Sequence, residues 1–232
     1  MKRLTTVLLL LILILPSFAA SADGGISTYP ERAIAYMDIT FKCGCSRIGT
    51  GAMIATDGLI TAGHNLICKD HSQKVDKIVF YFGYVSDDNY YYRYNGHFHY
   101  WYLDSFSKGY QSRNDIGYVL FDEYVGDTTG WLATRYGTDR EFDGQTCSIL
   151  AYSSDGELTD YSAQISIDSK LQFAMNQEAL PYGAEGAPVI IYRDGHATLV
   201  AVYNSHTSRA CLGRRLTKDM FDQMRKRLTF RK

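Results

Sequence analysis

Residues 49–66 read GTGAMIATDGLITAGHNL. Two short apolar runs, GAMIA (51–55) and GLITAG (58–63), meet at the polar turn Thr56-Asp57-Gly58, which reads as strand, turn and strand. The second strand ends on His64, so an imidazole is delivered to a strand end rather than buried within a helix face.

The same texture continues outward. AIAYMDITF (33–41), KIVFYFGYV (77–85), IGYVLF (116–121), CSILAY (147–152), SAQISI (162–167), PVIIY (188–192) and ATLVAVY (197–203) are short apolar or alternating runs separated by turn residues. Many short strands at modest spacing, with no helical pattern between them, indicate an all-β sandwich or barrel rather than βαβ units. The last segment differs. LTKDMFDQMRKRL places Met220, Phe221, Met224 and Leu228 at spacings of three and four, with Thr217 able to cap, which predicts a terminal helix packed on a β core.

The chain has 232 residues and begins MKRLTTVLLLLILILPSFAASADGG. Two cations, an apolar run from Leu4 to Leu15, Pro16 and then small residues have the layout of a secretory signal peptide, with processing expected after Ala19 or Ala22. The run is shorter than the roughly 18 residues a membrane anchor needs, so no membrane association is expected after cleavage. A net charge of −1 supplies no basic field and argues against a nucleic-acid partner.

Five cysteines, Cys43, Cys45, Cys68, Cys147 and Cys211, leave at least one thiol unpaired within the chain. Cys43-Gly44-Cys45 could be half of a zinc knuckle, but no second close Cys/His pair of the usual spacing is evident, and a disulfide from this pair to Cys68, written Cys45–Cys68, is expected instead. The aromatic stretch from Phe80 to Tyr102 reads as two strands joined through Ser86-Asp87-Asp88-Asn89, or as a sticky face for peptide or sugar. His97 and His99 would share one face of a strand, but with no third ligand evident no metal or other cofactor is expected.

Three segments carry chemistry jointly. TAGH (61–64) offers His64, NDIG (114–117) places Asp115 at the head of an apolar strand, and GAEGAP (183–188) is a tight glycine loop leading into another strand. In that order they resemble the chymotrypsin-fold serine peptidases, and within them the compact, secreted glutamyl endopeptidase-like branch. VGDTTGWLATRYG (125–137) and LGRRLTKDMFDQM (212–224) extend the resemblance over nearly the whole mature chain. It implies two packed antiparallel six-stranded β-barrels, about 27–125 and 126–215, and a terminal helix over 216–230, following a signal over 1–22. It also implies His64 as general base, Asp115 as its orienting acid, and an oxyanion hole built from the N–H groups of Gly183 and residue 185. Such a triad works because a hydroxyl is a poor nucleophile until an imidazole accepts its proton.

The resemblance fails at its centre, where Glu185 stands in the nucleophile position; Ser166, Ser169 and Ser205 all lie outside the glycine loop. A carboxylate is a weak nucleophile toward an amide and would sit where the oxyanion should form. The expectation is an inactive peptidase homologue in which Glu185 pairs with a protonated His64, still able to bind an extended peptide or protein; the alternatives are an active secreted endopeptidase with altered chemistry and an unrelated β-sandwich binding module. Tyr203 and His206 fall where the family's substrate-selecting residues lie, and Tyr203 stands in place of the His that recognises glutamate. Ala184 lacks the acid that trypsin-like zymogens use on activation.

Overall fold

The computed structural model of the chain describes residues 26–228. The expected signal segment and the basic tail residues Arg231 and Lys232 lie outside the described residues. Among the described residues, seven strands form each of two sheets. The first holds β1 (Ile34–Phe41), β2 (Ser46–Met53), β3 (Gly58–Thr61), β4 (Val75–Phe82), β5 (Tyr92–Tyr94), β6 (Phe98–Tyr102) and β7 (Gly117–Phe121), in the order β5-β4-β1-β2-β3-β7-β6. The second holds β8 (Ala133–Thr134), β9 (Thr146–Tyr152), β10 (Leu158–Ser169), β11 (Gln172–Met175), β12 (Pro188–Arg193), β13 (His196–His206) and β14 (Cys211–Arg215).

The second sheet closes. Its order runs β12-β9-β10-β11-β14-β13, and β12 pairs back onto β13, so six strands make a barrel with β8 added in parallel at the side. The first sheet is a half-barrel, which modifies the expected pair of closed barrels: among the described residues β5 and β6 lie at opposite edges and do not pair. Aromatic packing fills the interior instead. Phe80 lies edge-on to Phe98 and Phe121, with ring centroids 5.5 and 4.9 Å apart, and Tyr94 meets Phe121 at 4.8 Å. Phe80, Phe82, Tyr84 and Tyr94 of the aromatic stretch are thus core, and Tyr81, Tyr90, Tyr92, Phe98, Tyr100, Trp101 and Tyr102 pack half-buried against it. β4 and β5 pair through Phe80↔Tyr94, and Ser86 bridges Asn89 in the connection.

Alternation explains which faces meet. In β1, Ala35, Met37 and Ile39 point into the half-barrel with Phe80 and Val119, while Ile34 and Tyr36 point the other way. That second face joins Ile60 and Tyr118 to Leu150, Tyr152, Ile190 and Leu199 of the closed barrel, forming one apolar cluster between the two sheets. Tyr36 stacks on Tyr84 at 4.4 Å and meets Tyr152 edge-on at 5.6 Å. The C-terminal helix, Lys218–Leu228, inserts Met220 and Met224 into the same cluster, and Thr217 Oγ1 accepts from the Met220 N–H at 3.5 Å. The cluster fixes the two sheets against each other, and the residues singled out from the sequence lie along that junction.

Candidate active site

His64 sits in a single turn of 3-10 helix, Gly63–Asn65, just beyond β3. Its backbone N–H donates to Asp115 Oδ1 at 2.9 Å and its Nδ1–H to Oδ2 at 2.6 Å. Two bonds to one carboxylate fix both the position and the ring plane of the imidazole, leaving Nε2 as the nitrogen able to accept a proton. The approach demands glycine at 63, since a Cβ there would lie 2.9 Å from Phe106 and 3.2 Å from Asp115 Oδ1.

Asp115 is fully buried. Its carbonyl accepts from Asn204 Nδ2 at 3.0 Å, the same amide reaches the Ser112 carbonyl at 2.7 Å, and Lys69 Nζ stands 3.8 Å from Oδ2. Burial lowers the His64 pKa, an effect that outweighs the opposing pull of Asp115 and is assisted by the charges of Arg47 and Lys69. The imidazole is thus held neutral, the protonation state of a general base.

The 182–188 loop keeps its shape through backbone. Gly183 and Gly186 take φ of +103° and +99°, the left-handed region that side chains disfavour. At Gly186 a Cβ would lie 2.0 Å from the Thr50 carbonyl oxygen and 2.3 Å from Thr61 Oγ1. The Glu185 carbonyl accepts from the Thr50 N–H and from Asn65 Nδ2, both at 2.9 Å, and the Gly186 N–H donates to Tyr203 O at 2.8 Å. Thr50 Oγ1 donates to Gly183 O at 2.8 Å and accepts from the Tyr152 N–H at 3.1 Å. None of these anchors uses the side chain of residue 185.

That side chain turns back on its own loop. Glu185 Oε2 accepts from the Gly183 N–H at 3.3 Å and lies 3.9 Å from the Arg47 guanidinium, which also stands over the Tyr182 ring at 5.9 Å. The expected pair with His64 is not formed: the neutral imidazole offers no charge, whereas Arg47 and the Gly183 amide do attract an anion. The carboxylate therefore occupies one of the two donors assigned to the oxyanion hole.

Tyr203 is buried in the closed barrel's core, and burial raises its phenol pKa. Its contribution to the site is backbone: the N–H donates to Ala187 O at 2.8 Å while the carbonyl holds Gly186. His206 is exposed and lines a cavity of about 780 Å³ with Glu178, Ala179, Thr207, Ser208 and Arg209. The two residues therefore do not line one pocket.

The Cys45–Cys68 disulfide is also absent, because all five cysteines are free thiols. Cys45 and Cys68 both approach a residue missed in the sequence reading, His71, whose Nδ1 lies 3.4 and 3.5 Å from their sulfurs. Cys147 lies apart in the closed barrel, its thiol pushed up to about 12 by burial. His97 and His99 do acquire a third group, Asp122, at 2.8 and 3.7 Å, all three exposed.

Arg47, Thr50, Asn65 and Asn204 were likewise missed. Only Asn65 and Asn204 carried a signal, each being a lone amide beside a buried apolar run.

Comparison with known proteins bears on the fold. No family model matches the chain. The extracellular metalloprotease of Bacillus subtilis (strain 168) is 25% identical over 202 residues, covering 85% of this chain and 64% of that protein, so the chain spans less than two thirds of the relative's length. Among solved structures, a Glu endopeptidase superimposes with a TM-score of 0.74 at 19% identity, covering 89% of this chain and 94% of the other. The protease Anisep from Arthrobacter nicotinovorans gives 0.72 at 14% identity, covering 88% and 98%. The scabies mite inactivated protease paralogue S-I1 gives 0.62 at 15%, covering 90% and 100%. The chain has the chymotrypsin-like fold. His64 and Asp115 are assembled at the junction of its two sheets.

Proposed function

We propose that this chain is a secreted homologue of the trypsin-like serine endopeptidases that has lost peptide-bond hydrolysis and retained the capacity to bind an extended peptide or protein. The observation carrying the reading is Glu185: its backbone is held as a nucleophile loop requires, but its carboxylate lies on the Gly183 N–H. An anion there repels a developing oxyanion instead of stabilising it, and a carboxylate attacking an amide forms an anhydride that reverts. Secretion is supported by the amino-terminal sequence pattern and by the extracellular relative. Binding is supported by the open cavity beside His206, wide enough for a side chain.

The test compares wild type with Glu185→Ser on casein and with a fluorophosphonate probe. Cleavage and labelling confined to the serine variant establish an intact site silenced at one residue. Cleavage by wild type that disappears in His64→Ala overturns the reading and establishes an endopeptidase with different chemistry. For binding, the wild type is screened against extended peptides; no binding at high micromolar concentration rejects that half of the proposal.

A further inference from the structure

We propose that Cys43, Cys45, Cys68 and His71 form a structural zinc site that clips the β1–β2 turn to the segment following His64. The four donor atoms all lie within 4.8 Å of one another. They come from two short loops, each supplying two ligands: Cys43 and Cys45 flank Gly44, and Cys68 and His71 are three residues apart.

Both loops are shaped by backbone. In the first, Gly44 takes φ +83°, its N–H donates to Phe41 O at 2.8 Å, and the Phe41 N–H donates to Cys45 O at 2.9 Å. The turn therefore projects both thiols to one side. In the second, the Cys68 N–H donates to Gln73 O at 2.8 Å, closing the loop that contains His71. The Lys42 N–H donates to Lys74 O at 3.0 Å and ties one loop to the other.

The spacing suits a metal better than a disulfide. Tetrahedral zinc with Zn–S about 2.3 Å and Zn–N about 2.0 Å sets sulfur and nitrogen about 3.5 Å apart. The Cys45 and Cys68 sulfurs stand 3.4 and 3.5 Å from His71 Nδ1. A disulfide between two of the thiols would leave the third cysteine and the imidazole gathered without a partner. Three thiolates and one imidazole form a soft donor set, which selects zinc over calcium or magnesium. Four protein ligands close the coordination sphere and leave no position for substrate, so the role is structural.

Position gives the clip a consequence. Lys69 lies between two ligands and stands 3.8 Å from Asp115, while Arg47, two residues beyond Cys45, reaches Glu185. Cys45, Arg47, Cys68, Lys69 and Tyr182 line one cavity of about 270 Å³ between the clip and the loop bearing Glu185. The metal would hold both cations in place on the two sides of the site.

The experiment uses the full chain, prepared with reduced thiols. Metal analysis should find about one zinc per chain, and chelation should lower the melting temperature by about 10 °C or more. Cobalt(II) in place of zinc should give thiolate charge-transfer absorption and tetrahedral visible bands. These should disappear in Cys43→Ser and His71→Ala and persist in Cys147→Ala, whose thiol is elsewhere. Should the ligand variants fail to fold, titrating wild type with a mercurial should still release zinc in step with three of its five thiols. A chain that takes up no zinc or cobalt with five reactive thiols overturns the proposal, as does peptide mapping that finds Cys68 in a disulfide with Cys43 or Cys45.

Discussion

The two halves of the site differ in what holds them. On one side, side chains do the positioning: His64 is fixed by two bonds to the Asp115 carboxylate, and Asp115 in turn by its buried surroundings. On the other, the glycine loop is anchored through the carbonyl of residue 185 and the N–H of Gly186, without its side chain. A replacement at 185 can therefore change the chemistry while leaving the loop in place. The same replacement at 64 or 115 would dismantle the geometry itself.

The largest expected effect tests that contrast directly. Glu185→Ser should raise hydrolysis by at least about 10²-fold over wild type, since a completed triad is worth about 10⁶ and an imperfect oxyanion hole forfeits part of it. In that background Asp115→Asn should lower turnover by about 10⁴-fold through loss of the correct tautomer. Steady-state kinetics on a peptide ester measures both, and a Ser variant as inert as wild type would break the comparison.

Stability sharpens the other side. Gly186→Ala forces a Cβ against the Thr50 carbonyl and a strained φ, and should cost about 3 kcal/mol or more in chemical denaturation. Glu185→Ala should stay within about 1 kcal/mol, because its contact with Arg47 is partly exposed and screened. Equal losses would show that the side chain does hold the loop. Asn204→Ala removes two buried bonds, to Ser112 and Asp115, and should cost about 1–3 kcal/mol.

A further effect is in pH. The folded His64 pKa lies below its ordinary value, so the unfolded chain takes up a proton more readily than the folded one. This contribution is complete above about pH 6.5 and is lost as the pH falls below it, at up to about 1.4 kcal/mol per pH unit. Denaturation midpoints across that range should show the slope in wild type and less of it in His64→Gln. A midpoint that rises on acidification would indicate a charged imidazole and restore the pairing with Glu185.

Strand periodicity made the β architecture legible in sequence, and the ordered motifs singled out the His64 and Asp115 that the fold brings together. Four things were not. Whether a sheet closes depends on pairing between distant edges, and the short β5 and β6 carry no residue that announces it. The direction of the Glu185 side chain depends on Arg47, which lies 138 positions upstream on another strand. The cysteine cluster was hidden because its fourth member is a histidine, within a loop whose closure is set by backbone bonds. Tyr203 was read as a pocket residue from its place in a motif, whereas strand alternation turns it into the core.

The C-terminal helix carries a different consequence. Met220 and Met224 touch a cluster contributed by both sheets, Leu228 lies where a Cβ on Gly58 would meet it at 2.6 Å, and Arg227 stands over Trp101 at 4.6 Å. The helix follows both sheets in chain order and seals the junction between them. A growing chain would carry both sheets with their junction unsealed until the helix emerged.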